Sequence, residues 1–267
     1  HGTGIGDLLD RIVSELPKDL NNNDSDQISF SVIGRPNVGK SSIMQVAIDG
    51  PASAGKSTVA KIIAQKLNFT YIDTGAMYRA CTVIAKENNI DYGNEQGILA
   101  AIDRNEIQLK AVDGGQKVYA GDKDITRDVR LPEISANVSQ VSALPKIREK
   151  MVSLQRKMAG EMNVVMDGRD IGTTVLPNAE VKIFLVATAH SRAQRRMLDL
   201  KQQGIRSDQT LQEIEQSIRE RDYKDSHRQI SPLKKAADAV EIDTTEMNID
   251  QVVEAILVQI EKSQKNI

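Results

Sequence analysis

The sequence predicts an α/β fold, an open parallel sheet covered by helices on both faces. Three observations carry this reading. From Gln45 onward, short apolar segments of strand length alternate with longer segments of helical periodicity. Two of the short segments, NVVMD (163–167) and VKIFLVA (181–187), are nearly continuous apolar runs, as strands buried on both faces require. A phosphate-loop pattern, G-x-x-x-x-G-K-S, spans Gly50–Ser57 and lies between a strand and a helix, the junction at which such a loop works.

The elements follow in order. Residues 4–16 (GIGDLLDRIVSEL) place Ile5, Leu8, Leu9, Ile12, Val13 and Leu16 at helical spacing, which predicts an amphipathic helix. PKDLNNNDSDQ (17–27) is polar and opened by Pro17, so it reads as a linker. ISFSVI (28–33) is a short strand candidate. QVAID then predicts a buried strand, STVAKIIAQKL a helix, FTYID a second strand, and Ala76 to Asn88 a second helix. Residues 106–125 suggest short strands in a β-rich insert, with turn signals at Asp113-Gly114-Gly115 and Gly121-Asp122. Helices are predicted at about 132–142 and 146–159. After the two apolar strands come polar, Arg-rich helices at Ser191–Gln203 and Leu211–Tyr223, a last strand in AVEIDTT (239–245) and a closing helix at Ile249–Lys262.

The phosphate-loop pattern occurs twice, at Gly34–Ser41 and at Gly50–Ser57. In such a loop, glycines let backbone N–H groups face phosphates, Lys reaches the β and γ phosphates, and Ser or Thr helps hold Mg²⁺. The helix that follows needs about ten residues or more. After Ser41 only Ser42, Ile43 and Met44 precede QVAID, too few for a helix and a return to a parallel strand. After Ser57 a full amphipathic helix is available. Gly50–Ser57 is therefore the expected working loop.

Composition narrows the function classes. The chain has 267 residues, 40% hydrophobic and 27% charged, with a net charge of -2. This balance gives no reason to expect nucleic acid or an anionic membrane as partner. No apolar run approaches the ~18 residues of a membrane span. A single cysteine, Cys81, excludes an intrachain disulfide framework and a multi-cysteine zinc site, and it fits a reducing cytoplasm. The three histidines, His1, His190 and His227, form no metal-ligand spacing.

Arginine is the residue type that stands out. Arg79, Arg148, Arg169, Arg192, Arg195, Arg196, Arg221 and Arg228 are distributed through the elements after the loop. Guanidinium groups give bidentate contacts to phosphate, and phosphoryl transfer consists mainly of positioning anions and neutralising spreading charge. Arg169 lies in Asp167-Gly168-Arg169-Asp170, just after an apolar strand, and α/β sheets bind ligands at the carboxyl ends of their strands. The same position favours Asp73-Thr74-Gly75. Arg192, Arg195 and Arg196 fit either a solvated helix face or a ligand contact.

From Met44 to its end the chain resembles bacterial cytidylate kinase, the (d)CMP kinase family. The motifs are IDGPASAGKST, YIDTGAMYRA, ANVSQVSALPKIRE, MDGRDIGTTVLPNA, RAQRRM and RERDYKDSHR. The resemblance implies a three-layer P-loop nucleoside monophosphate kinase fold with a parallel sheet, a small β-rich insert at about 90–130 and a short lid at about 190–206. It implies transfer of the γ-phosphoryl group of ATP to CMP or dCMP with Mg²⁺, in a cytoplasmic monomer. Gly50, Pro51, Ala52, Ser53, Ala54, Gly55, Lys56, Ser57 and Thr58 would hold the ATP phosphates, with Lys56 on the transferring group and Ser57 close to Mg²⁺. Arg79 and Arg169 would grip the CMP phosphate, with Tyr78 beside the nucleotide. Thr74, Arg148, Asp170 and Arg228 would surround the cytosine. The family often has Ser where Thr74 stands. Ser139, Arg221 and Asp225 would meet the ribose, and Arg192, Arg195 and Arg196 would close over ATP with the lid. Lys56, Arg169, Arg192 and Arg196 are the expected catalytic set. A broader UMP/CMP kinase is the alternative, and the insert fits either a role in base choice or a plain surface sheet.

Residues 1–43 (HGTGIGDLLD, the linker, then FSVIGRPNVGKSS) resemble the middle of the bacterial tandem-GTPase ribosome-assembly family Der (EngA). No guanine-reading N-K-x-D occurs anywhere in the chain, so GTPase activity is not expected. Met44 reads as the start of a different protein, and an inactive fusion is the further alternative.

Overall fold

The computed structural model describes residues 43–112, 115–160, 162–202, 204 and 208–265. All of them fall in one compact unit, Ser42–Ile267. The helix, linker, strand and first loop expected within residues 1–42 lie outside the described residues.

Five parallel strands form the central sheet, in the order β2-β6-β1-β7-β8. They are β1 (Gln45–Asp49), β2 (Thr70–Asp73), β6 (Val164–Gly168), β7 (Val181–Val186) and β8 (Val240–Asp243). The strand β1 pairs with β6 on one side and β7 on the other, so the phosphate loop leaves the middle of the sheet. Side chains alternate between faces, as strand geometry demands. Val46, Ile48, Val165, Ile183 and Leu185 join one core with the helices α1 (Lys56–Leu67) and α8 (Ile249–Lys265). Ala47, Ile72, Val164 and Met166 join the opposite core, against α2 (Thr74–Glu87), α4 (Pro132–Ala143) and α5 (Pro145–Ala159). Burial of each valine, leucine, isoleucine or methionine among these contributes about 1.5–3 kcal/mol, which holds the loop-bearing strand from both sides.

Between α2 and α4 lie α3 (Glu95–Arg104) and a separate antiparallel sheet of β3 (Ile107–Val112), β4 (Gly115–Ala120) and β5 (Lys123–Asp124). The short strands match the sequence expectation, whereas α3 was not anticipated. Its N-cap is Asn94, whose side chain accepts from the Gly97 amide. The small sheet docks on the edge of the large one through Gln116. Its Nε2 donates to the Tyr71 carbonyl at 2.8 Å, and its Oε1 accepts from the Asp73 amide at 3.3 Å. Edge strand β2 thereby gains partners for groups that would otherwise be unpaired.

The helices α6 (Ala189–Gln202) and α7 (Leu211–His227) pack on each other through Ala189, Ala193, Ile214 and Ile218. Thr210 and Glu213 close a capping box at the start of α7. Among the described residues no helix is long and apolar enough to cross a membrane.

Candidate active site

The phosphate loop joins β1 to α1. Gly50 has φ 147, and a Cβ there would meet the Leu185 carbonyl oxygen of β7 at 2.2 Å, so only glycine fits. Ser53 takes the left-handed conformation at φ 59, an arrangement usually reserved for glycine and typical of ligand-shaped backbone. Helix α1 begins after Gly55, and among the described residues no side chain caps its first amides. Uncapped N-terminal N–H groups and the helix dipole make a ready anion site. Lys56 curls back over the loop and donates to the Pro51 carbonyl at 2.7 Å. Burial, and then Arg169, push its ammonium well below the usual lysine range, against Asp167 and Asp49.

Three neighbouring strands carry an aspartate at or next to their last residue, and each aspartate does something different. Asp73, closing β2, caps α2 by accepting from the Ala76 amide at 2.7 Å and pairs with Arg79 at 3.4 Å. Asp49, closing β1, accepts from the amides of Ile171 and Gly172 at 2.8 Å each, and so ties the phosphate-loop strand to the turn that follows Asp170. Burial pushes its carboxyl up to about 6 despite those two donors. Asp167, in β6, accepts from Ser57 Oγ at 2.8 Å and from the Tyr71 hydroxyl at 2.8 Å. Burial and Asp73 raise its carboxyl above the ordinary range, against Lys56, Ser57 and Tyr71. A serine hydroxyl beside a carboxylate at the loop is an oxygen donor set that suits Mg²⁺, which takes one or two carboxylates and completes its shell with phosphate and water.

The acceptor side is built around Arg169 and Asp225. Gly168 precedes Arg169, and a Cβ on it would strike Thr74 Oγ1 and Ile171 Cδ1 at 2.6 Å. Thr74 Oγ1 donates to the Asp167 carbonyl at 2.7 Å. Arg169 Nε donates to Asp225 Oδ2 at 3.0 Å, and Ser139 Oγ donates to Asp225 Oδ1 at 3.1 Å. Burial raises the Asp225 carboxyl, but Arg169, Arg221 and Arg228 outweigh it and hold it below the ordinary range. Arg221 is pushed down to about 10 by burial and by Arg169, and its buried Nε has no hydrogen-bond partner among the described residues. Arg196 is lowered by burial, with Asp199 opposing and Arg79 and Arg130 adding to the fall. Clustered cations that depress one another call for an anion between them.

Beneath this cluster, Asp170 is 3% exposed. It is held by Arg148, itself 2% exposed, and by Arg228 Nη2 at 3.3 Å. The Arg148 guanidinium lies 5.3 Å from the centroid of the Tyr78 ring. The buried Tyr78 hydroxyl has no hydrogen-bond partner among the described residues, and burial raises its ionisation well above the ordinary tyrosine value.

One cleft of about 1440 Å³ joins both sides. It is lined by Ala52 through Thr58, Thr74, Tyr78, Arg79, Ser139, Arg169, Asp170, Arg195, Arg196, Arg221, Asp225 and Arg228, all expected from sequence. Gly50, Pro51, Arg148 and Arg192 are not among its lining residues, and both arginines are buried. Arg192 is 6% exposed, and Arg195 binds Thr244 through its hydroxyl at 3.0 Å and through its carbonyl. Neither is on a solvated face. Asp49, Tyr71, Asp167, Asp222 and Gln116 were not singled out from sequence as site residues. Aspartate at the end of an apolar strand, repeated in Ile48-Asp49, Ile72-Asp73 and Met166-Asp167, was the signal available for two of them.

A parallel sheet with a strand–loop–helix phosphate site, and a second arginine-lined anion site in the same cleft, define a P-loop phosphotransferase. The chain belongs to the cytidylate kinase family, whose model, described as Cytidylate kinase, matches residues 46–262. It is similar to the cytidylate kinase of Lactobacillus johnsonii, 66% identical over 224 residues that cover 84% of this chain and 96% of that protein. The cytidylate kinase of Lactobacillus gasseri is 65% identical over the same length and shares. That of Streptococcus pneumoniae is 52% identical over 220 residues, 82% of this chain and 98% of that protein.

Proposed function

We propose that the chain transfers the γ-phosphoryl group of ATP to CMP or dCMP, giving ADP and CDP or dCDP, in the cytoplasm and as a monomer. The observation that carries this reading is the presence in one cleft of the Gly50–Thr58 loop and, across from it, Arg79, Arg169 and Arg221. Two polyanions held face to face are what in-line phosphoryl transfer needs. An oxygen of the acceptor phosphate attacks the γ-phosphorus, the bond to the β–γ bridging oxygen breaks, and ADP departs with that oxygen. The acceptor phosphate is already anionic, so no side chain has to remove a proton from it.

Lys56 follows charge on the transferring group, and Arg169 with Arg196 neutralises it as it spreads. Ser57 and Asp167 are the residues that would hold Mg²⁺, which when bound adds positive charge against the β and γ oxygens. Thr74, Arg148, Asp170 and Arg228 form the base side, and Ser139, Arg221 and Asp225 the sugar side. The segment at about 90–130 acts as a nucleotide-binding insert, a role favoured by the contact of Gln116 with the strand that carries Asp73. The segment at about 190–206, with Arg192, Arg195 and Arg196, acts as the lid that excludes water. Residues 1–43 are a GTPase-family fragment, joined to a kinase domain of residues 44–267.

A coupled ADP-release assay with ATP, Mg²⁺ and CMP, dCMP, UMP or AMP tests the reading on the full chain. Turnover with CMP and dCMP well above UMP and AMP is expected. Equal turnover with UMP would replace it by a broader UMP/CMP kinase. No turnover with any acceptor, restored in a chain beginning at Met44, would identify the upstream segment as an obstruction.

A further inference from the structure

Asp167 is 3% exposed and is gripped from two sides. The Tyr71 hydroxyl donates to Oδ1 at 2.8 Å, and Ser57 Oγ donates to Oδ2 at 2.8 Å. Two donors on opposite oxygens fix the carboxylate plane, because rotation about the Cβ–Cγ bond would break both contacts. Tyr71 is itself fixed. Its backbone lies in β2 in register with Val165, its carbonyl accepts from Gln116 at 2.8 Å, and its ring sits 5.7 Å below the Lys61 ammonium of α1. Its ring also packs against the core that includes Val59, Ile63 and Val165. A tyrosine that spans the edge strand and the phosphate-loop helix is thus placed to hold the carboxylate that accepts from the loop serine.

We infer that Tyr71 is a positioning residue for the metal-facing carboxylate: it occupies Oδ1 of Asp167, so that Oδ2 stays turned toward Ser57 and the divalent cation. The inference rests on the kinase reading above and adds to it a residue that acts through Asp167 and not on either nucleotide. Outer partners of a metal-holding group are commonly worth about 10–100-fold in metal affinity or activity.

Tyr71→Phe keeps the ring and deletes the oxygen. Mn²⁺ binding, followed by the electron paramagnetic resonance of the free ion at a fixed concentration of a non-hydrolysable ATP analogue, is the primary readout. The Mg²⁺ concentration for half-maximal CMP phosphorylation is the second. Mn²⁺ binding about tenfold weaker is expected, with a matching rise in the Mg²⁺ requirement and unchanged binding of the analogue in chelator. Asp167→Asn and the double variant complete a cycle. Once Asp167 is changed, removal of the Tyr71 hydroxyl should cost nothing further in Mn²⁺ affinity. Unchanged Mn²⁺ affinity in Tyr71→Phe, or losses that multiply in the double variant, would overturn the inference. A wild-type chain that binds Mn²⁺ but leaves CMP unphosphorylated, both at full length and when begun at Met44, would instead sink the kinase reading, and the Mn²⁺ cycle would still decide the role of Tyr71.

Discussion

Arg192, on α6, donates through Nη1 to the carbonyl oxygen of Ala52 in the phosphate loop at 3.2 Å, across 140 positions of sequence. The same guanidinium donates through Nε to the Ala187 carbonyl at 2.9 Å and pairs with Asp222 of α7 at 2.6 Å. One planar fork therefore joins the end of β7, the phosphate loop and the helix pair. Lysine has the charge but not the fork. Arg192→Lys is expected to raise the KM for ATP about tenfold, the equivalent of one charged hydrogen bond. It should also cost about 1–2 kcal/mol of unfolding free energy, a buried-pair loss discounted because Asp222 is partly solvated. Initial rates at saturating CMP and urea melts measure the two. An ATP KM that stays put while stability falls would mean that the contact to Ala52 is structural only.

Arg221 illustrates a cost carried for a ligand. Its Nε has no partner among the described residues, and burial with Arg169 depresses the guanidinium to about 10. Arg221→Met removes a cation that repels its neighbours in the nucleotide-free protein. The variant is expected to melt higher than the wild type by the equivalent of about 1 kcal/mol. At the same time kcat/KM for CMP should fall about 10–100-fold, as loss of a charged hydrogen bond implies. Calorimetry without nucleotide and steady-state kinetics test the pair of effects. A variant both less stable and less active would show that Arg221 holds α7 in place instead.

The contrast between these two arginines explains what could and could not be read from sequence. The strands β1, β2, β6 and β7 and the helices that follow them were legible because each carries its own apolar period and each boundary its own cap or turn signal. The residues of the cleft were legible where a motif joins them locally, as in Gly50–Ser57 or Asp167–Asp170. Helix α3 was missed because only Ile98, Ala101 and Ile102 of its ten residues are buried, too sparse a stripe beside the strand pattern that follows. The π-helical turn at Ile171–Val175 was missed because an anchor of its first amides is Asp49, 122 positions earlier. Which face Arg192 or Tyr71 serves depends on the partner the fold brings to it, and no local spacing encodes that.

Asp49 gives a pH dependence with a defined sign. Its carboxyl is raised from 3.8 to about 6 in the folded protein, chiefly by burial. Between those values the folded state binds the extra proton, so the stability contributed by this group is full below about 3.8 and lost as pH rises through about 6. Asp49→Asn has no such titration. Lowering the pH from 8 to 5 should therefore favour wild type over Asp49→Asn by about 1 kcal/mol. Urea melts of both proteins at the two pH values measure the gap. A flat gap would show that the two amide donors stabilise the carboxylate as much as burial disfavours it, and a gap that moves the other way would show that they do so more.

Base choice turns on Asp170. Its two oxygens are engaged by Arg148 and by Arg228, yet a carboxylate has about four lone-pair positions, so acceptor capacity remains toward the cleft. Cytosine offers an amino donor where uracil offers a carbonyl acceptor. A buried carboxylate accepts the first and repels the second, and a site that leaves a polar group unpaired discriminates strongly against that ligand. Asp170→Asn replaces one acceptor oxygen by a donor that uracil can use. The ratio of kcat/KM for CMP to that for UMP should fall about 10–100-fold. Stability should also fall, by about 3 kcal/mol, because buried Arg148 loses its counter-charge. The ratio is insensitive to that loss, since both substrates meet the same folded fraction. If both rates fell together and the ratio held, Asp170 would serve only to neutralise Arg148 and Arg228. Discrimination would then have to come from groups on the cleft wall that meet the base directly, with the hydroxyl of Tyr78, which has no partner among the described residues, the first to change.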